Sequence, residues 1–296
     1  MGKRDLIASV ISAHALQANS QSSNFLYAIV DLATSPDRAA AAVRRFEATE
    51  ARCILGDLRL AAREASPWLL RLTLSEQRFV NLDWTVEFAH ERSAVTWLLS
   101  EATLDDLAHR LRSRTEAVLP GAHGVLLRYF DPRVLPVLHD VLDERALADF
   151  FSVGHAWQYL DRAGSLQTIA MTQTMTQRGD ADPFVAPMRI DDAQFAALLA
   201  ASEIDSVMPE LAREMPDAFL ALAPIERVRL AEQWLRRADA WRVEAFPERV
   251  LLCLLGLRLG ETVVRDPRWV EAFANIAEGR STVLEAIGHA DSRVST

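Results

Sequence analysis

The stretch Phe25–Ala51, FLYAIVDLATSPDRAAAAVRRFEATEA, decides the fold class. Its first seven residues are apolar except Asp31 and include aromatic and β-branched side chains, as in a strand buried on both faces. The polar Thr34-Ser35-Pro36-Asp37 closes the strand, and Ala39–Ala51 then reads as a helix. The same alternation recurs downstream. Pro67–Thr73 (PWLLRLT) and Ala94–Leu99 (AVTWLL) are short apolar strands. Thr103, with Asp106 three residues on, resembles an N-cap opening a helix to about Glu116. Val125–Phe130 (VLLRYF) reads as a strand apolar on both faces except at Arg128. Pro132–Leu142 and Glu144–Phe151 read as short helices, and Val153–Leu160 and Ser165–Met171 as strands. The pattern predicts a layered α/β domain with a mixed, mostly buried sheet over residues 1–171.

The period changes after that. Thr172–Arg189 has no periodicity and carries Gly179, Pro183 and Pro187, so 172–190 reads as a linker. Residues 191–296 read as an all-α domain. Asp191 with Gln194 makes a capping-box start for a helix through Ala201. Pro224 suits a first helical position ahead of Val228, Ala231, Trp234, Leu235, Ala238 and Trp241. Arg249–Leu259 is apolar all round except Arg258, and Asp266-Pro267 opens another helix with Trp269 and Phe273.

With 296 residues, half of them hydrophobic, the chain can bury roughly three quarters of its unfolded surface and needs no disulfide or metal staple. A net charge of −9 with no basic block argues against nucleic acid, which is bound by neutralising phosphates. The basic residues are 31 Arg and one Lys, scattered beside acidic neighbours, as codon bias and solvated faces would produce. Cys53 and Cys253 lie far apart in apolar contexts and read as free thiols of a reducing compartment. Lys3-Arg4 followed by Leu6–Ile11 mimics a signal peptide. Ser9, Ser12 and His14 interrupt the apolar run, however, and its helical stripe predicts a short amphipathic helix of a cytoplasmic protein. The longest apolar runs, such as Val250–Leu257, are too short to span a membrane.

Catalytic signatures are missing from the sequence. It has no phosphate loop, no GxSxG elbow and no HExxH, and its seven histidines are dispersed without metal-ligand spacing. Carboxylate pairs such as Asp105-Asp106 and Asp191-Asp192 sit at helix starts, where the macrodipole accounts for them. No catalytic residue, metal site or cofactor is expected.

The densest constellation is Leu127-Arg128-Tyr129-Phe130-Asp131-Pro132-Arg133. Asp131 can cap the following helix with Pro132 at its first position. Arg128, on an apolar strand, needs a paired charge, and Asp131 and Asp31 are available. Two readings remain: a strand-to-helix corner fixed by an ion pair, or an exposed Arg/Tyr/Asp patch that docks a partner.

The run LLRYFDPRVLPVLHDVL, followed by FFSVGHAWQYL, resembles the signature of the type VI secretion effector adaptors, or effector chaperones. The family's other segments also occur in order: Tyr27–Ala33, Ser66–Leu72, Ala94–Leu111 and a Trp after the corner, here Trp157. The likeness covers residues 24–160, with one departure: Asp31-Leu32-Ala33 stands where a glycine is common after the Asp. The resemblance implies a non-enzymatic cytoplasmic adaptor that binds a toxin effector and hands it to the spike protein VgrG. It marks Arg128, Tyr129, Asp131, Pro132 and Arg133 as the family-defining corner, supported by Asp31 and by Trp68 and Trp157, which read as core. Two rivals are carried forward. One is a small-molecule enzyme with Asp131, Arg133 and His155 around a cleft at the strand end. The other is a periplasmic binding protein.

Overall fold

A computed structural model describes residues 5–6, 9–10, 25–47, 50–56, 59–72, 74–75, 78–79, 81–170 and 182–292. Residues 11–18, on which the signal-or-helix question partly rests, and 172–181 of the expected linker lie outside the described residues. Contacts divide the chain into two units, Met1–Ala200 and Ala201–Thr296.

In the first unit the strands are β1 (Phe25–Asp31), β2 (Ala51–Cys53), β3 (Pro67–Arg71), β4 (Leu74–Ser75), β5 (Arg78–Phe79), β6 (Val95–Ser100), β7 (Glu116–Leu119), β8 (His123–Leu126), β9 (Ala156–Leu160), β10 (Leu166–Ala170) and β11 (Met188–Arg189). The helices between them are α1 (Pro36–Glu47), α2 (Leu60–Glu64), α3 (Leu82–Glu91), α4 (Leu104–Ser113), α5 (Leu135–Val141) and α6 (Glu144–Phe151), followed by α7 (Asp192–Glu214). β1 lies inside a six-stranded sheet of order β10-β9-β6-β1-β3-β2, antiparallel at every pairing. The mixture of directions is confined to a small sheet, β11-β7-β8, where β11 runs parallel to β7.

Strand alternation explains why β1 reads as apolar throughout. Leu26, Ala28 and Val30 join Trp68, Leu70, Trp97 and Leu99 in one core, whereas Tyr27 and Ile29 join Leu69, Leu98 and Trp157 in another. Both faces are therefore covered. The described N-terminal residues Leu6 and Val10 are helical and fully buried in the first of these cores.

The helix starts follow local chemistry. Thr103 caps α4, its hydroxyl accepting from the Asp106 N–H at 3.3 Å. Asp143 caps α6 from the Ala146 N–H at 2.8 Å. Asp191 and Gln194 form the reciprocal capping box at the start of α7, at 2.8 and 3.0 Å. That helix runs on to Glu214, past the Ala201 end expected from sequence.

The strand expected over Val125–Phe130 ends at Leu126, and the following helix begins at Leu135 rather than at Pro132. The cause lies in the turn between them. The Leu127 N–H still reaches the Thr115 carbonyl at 2.7 Å, but the Arg128 carbonyl instead accepts from the Asp131 N–H at 3.0 Å. Pro132 also biases Asp131 away from helical backbone geometry. The chain therefore makes one further turn, with the Val134 and Leu135 N–H groups on the Asp131 carbonyl, before α5 starts.

In the second unit, from Ala201, the remainder of α7 is followed by α8 (Pro216–Ala221), α9 (Pro224–Ala240), α10 (Phe246–Leu259), α11 (Pro267–Ala277) and α12 (Val283–Ser292). α9 buries Val228, Ala231, Trp234, Leu235 and Ala238 of the stripe read from its spacing, whereas Trp241 follows the helix end and is half-buried. Gly256 of α10 lies against Trp234 so closely that an added Cβ would come within 1.9 Å of the indole nitrogen. Arg249 pairs with Glu203 and with Asp239 (2.7 Å), and donates to the Val243 carbonyl at 2.9 Å. Burial alone would lower its pKa, but the two carboxylates outweigh it and hold the guanidinium charged.

Candidate functional site

Residues 127–133 sit at one end of the central sheet. Alternation persists past the end of β8: Leu127 and Tyr129 point inward, and Arg128 points out, its side chain 43% exposed. Tyr129 is fully buried, contrary to its place in an exposed patch. Its hydroxyl donates to the Leu111 carbonyl at 2.9 Å, and its ring stands edge-on to Phe130, Phe150 and Trp157. Burial pushes its pKa far above the usual tyrosine range, so it serves as a structural peg. Pro132 is buried as well.

Each of the two corner arginines is held by a buried carboxylate. Arg128 donates to Asp31 through Nη2 at 2.5 Å, across 97 residues of chain. The other oxygen of Asp31 accepts from the Ala33 N–H at 3.1 Å, and its backbone N–H donates to the Ala94 carbonyl at 2.8 Å. Arg133 grips Asp131 bidentately, through Nε at 2.9 Å and Nη2 at 2.7 Å, and the Arg133 N–H reaches the same carboxylate at 2.9 Å. The Asp31 and Asp131 side chains are 1% and 5% exposed. The corner is thus an anchor made of two acids, from which two guanidinium groups reach solvent in set orientations.

The two tryptophans are core. Trp68 donates its Nε1–H to the Arg63 carbonyl at 3.0 Å, while the Trp157 Nε1 is buried without a hydrogen-bond partner. His155 is not brought to the corner. Its backbone N–H meets the Leu99 carbonyl, whereas the Phe130 carbonyl lies beside Thr96. Those two positions on β6 are roughly 10 Å apart at strand rise. His155 pairs instead with Glu101 at 3.2 Å, so the rival enzyme's trio is not assembled.

A second polar centre escaped the sequence reading. Arg114, fully buried, forms a bidentate pair with Asp182 at 2.7 and 2.8 Å. It also donates to the carbonyls of Phe150 (2.6 Å), Arg110 (2.8 Å) and Asp149 (3.0 Å), and stacks on the Phe184 ring at 4.6 Å. Burial would raise the Asp182 pKa, but the Arg114 hydrogen bonds and charge, with the Phe184 N–H, hold it below the ordinary carboxylate range. The centre ties 182–190, read from sequence as the end of a linker, to α4 and α6. A groove of about 770 Å³ lies beside it, lined among others by Leu119, Ala146, Phe184 and Met188. Arg114 is one of many arginines at helix ends, and its partner is 68 residues away. No local pattern links the two.

Among the described residues no group of three or more His, Cys, Asp or Glu could hold a metal ion, and no helix is long and apolar enough to cross a membrane. Cys53 and Cys253 are free thiols, and burial pushes the Cys253 thiol up to about 12.

A family model described as a domain of unknown function, DUF4123, matches residues 26–149. The match runs from β1 through most of α6, and so takes in the whole corner. No curated protein and no solved structure matches the chain.

Proposed function

We propose that the chain is a type VI secretion effector adaptor. In this reading it binds a toxin effector in the bacterial cytoplasm and promotes loading of that effector onto the VgrG spike, without catalysing a reaction. One observation carries the reading: the DUF4123 match over 26–149 coincides with the segments that resemble the adaptor family. Tyr27–Ala33, Ser66–Leu72, Ala94–Leu111 and the Leu127–Arg133 corner all fall inside it.

The geometry of the corner supports the same reading. Arginine is favoured at protein interfaces because its planar guanidinium makes several directed hydrogen bonds at once. Here Asp31 and Asp131 hold two such groups at the surface, so less side-chain freedom is lost when a partner docks.

Affinity purification of the tagged chain from its native cells under secreting conditions, followed by mass spectrometry, tests the proposal. Recovery of a large toxin together with a spike protein is the expected outcome. Recovery of neither overturns it.

A further inference from the structure

Among the described residues, the small sheet has an unpaired edge beside the corner. In an antiparallel pair, residues that exchange hydrogen bonds alternate with residues whose N–H and C=O point away. The Leu127 N–H donates to the Thr115 carbonyl, which sets the alternation along β8. With Glu116 opposite Leu126 and Val118 opposite Gly124, the backbone groups of Gly124 and Leu126 must face away from β7. Val118 agrees, since its carbonyl accepts from Ile190 on the β11 side at 2.9 Å. β8 ends the sheet order, Gly124 is exposed and Leu126 is 51% exposed. No described residue bonds the outward groups of either.

Natural sheets guard such edges with lysine, proline, a bulge or a covering element. Among the described residues His123–Leu126 has none of these, and it exposes a leucine instead. Beyond it the exposed row continues at a spacing of two: Gly124, Leu126, Arg128. Arg128 gives one N–H to Asp31, and its side chain is 43% exposed.

We propose that the β8 edge takes an extended segment of a separate partner polypeptide, which adds a strand to the sheet. About five residues span Gly124 to Arg128 at strand rise. The segment carries an apolar side chain to meet Leu126 and a carboxylate to meet Arg128. A second copy of this chain fits less well. If two β8 edges paired antiparallel through Gly124 and Leu126, Arg128 would face Pro120, Ala122 or Gly124 of the other copy, none of them acidic. Gly121 and Ala122, with φ of 78° and 62°, would also end the ladder there. The inference rests on the adaptor reading only for the partner's biological identity.

The test compares Gly124→Pro with Gly124→Ala. Proline removes the outward N–H and no β7 bond, as an edge position allows. Alanine keeps the N–H, and its Cβ enters open space. A phage-displayed library of random 12-residue peptides is selected on the wild-type chain, and the enriched peptides are then measured on all three proteins. Expected are peptides with alternating apolar and acidic positions that bind wild type and Gly124→Ala equally. They should lose about tenfold or more in affinity on Gly124→Pro, at an unchanged melting temperature. Equal binding to Gly124→Pro and Gly124→Ala, or no enrichment at all, overturns the proposal. So does a wild-type dimer in sedimentation that Gly124→Pro dissolves, because the occupant would then be a second copy. Failure to recover toxin and spike from cells bears on the adaptor reading alone, since the peptide measurement does not depend on it.

Discussion

Removing Asp182 should strand a buried cation. The Arg114 side chain is fully buried and that of Asp182 20% exposed. Asp182→Ala leaves the guanidinium with three backbone carbonyls and the Ser152 hydroxyl, all neutral. Deleting one partner of a buried pair costs about 3–5 kcal/mol, and the partial exposure of Asp182 places the loss near the lower end, at ~3 kcal/mol. For a unit of this size that corresponds to a fall of roughly 6–12 °C in the melting temperature. Because the chain has two units, one optical signal would mix two transitions. Hydrogen exchange read by mass spectrometry on peptides from 95–160 isolates the relevant one.

The pH dependence supplies a second handle. The folded pKa of Asp182 lies below its unfolded value, so its contribution is complete above the ordinary carboxylate range and fades as pH falls through the folded pKa. The gap between wild type and Asp182→Asn should therefore stay constant down to about pH 5 and close progressively below about pH 4. A shift under about 2 °C for Asp182→Ala at neutral pH, or a gap that widens in acid, would refute the reasoning.

At the corner, Arg128→Ala should cost more stability than Asp31→Ala. The first leaves the buried Asp31 carboxylate with only the Ala33 N–H, for about 2–3 kcal/mol, whereas the second removes that buried charge and releases the half-exposed Arg128 to water, for about 1 kcal/mol. Urea melts of both variants check the order, and Arg128→Ala should lose partner binding while remaining folded. Trp68→Phe should exceed Trp157→Phe in cost by about 1 kcal/mol, because only Trp68 loses an indole hydrogen bond; equal losses would contradict the assignment. Gly256→Ala should destabilise the second unit by about 1–3 kcal/mol through overpacking against Trp234, visible as faster exchange in Pro224–Leu259.

Much of the fold was legible in the sequence because its causes are local. β1, β3, β6 and α6 announce themselves by period, and the starts at Thr103 and Asp191 by side chains that reach only three residues. The corner was legible as a place but only partly as a structure. Arg128 had two carboxylates within plausible reach, Asp131 three residues away and Asp31 far earlier in the chain. The distant one holds it, since Asp131 is saturated by Arg133 and its own turn. Tyr129 resembled a surface contact because tyrosine suits both settings, and only the depth of the pocket formed by Phe130, Phe150 and Trp157 assigns it to the core.

The sequence by itself determined an α/β unit followed by helices, the strands buried on both faces, the capped helix starts and the segment in which Arg and Asp converge. These follow from side-chain periodicity and short-range hydrogen bonding, whose range is a few residues. The tertiary structure alone decided which charges pair: Arg128 with Asp31, Arg114 with Asp182, Arg249 with Glu203 and Asp239. It alone left β8 without a further strand at its edge among the described residues. In a chain with 31 arginines and 41 acidic residues, composition offers far too many candidate pairs to choose among. Burial makes the choice, because desolvation penalises every charge that the fold fails to bring to its partner.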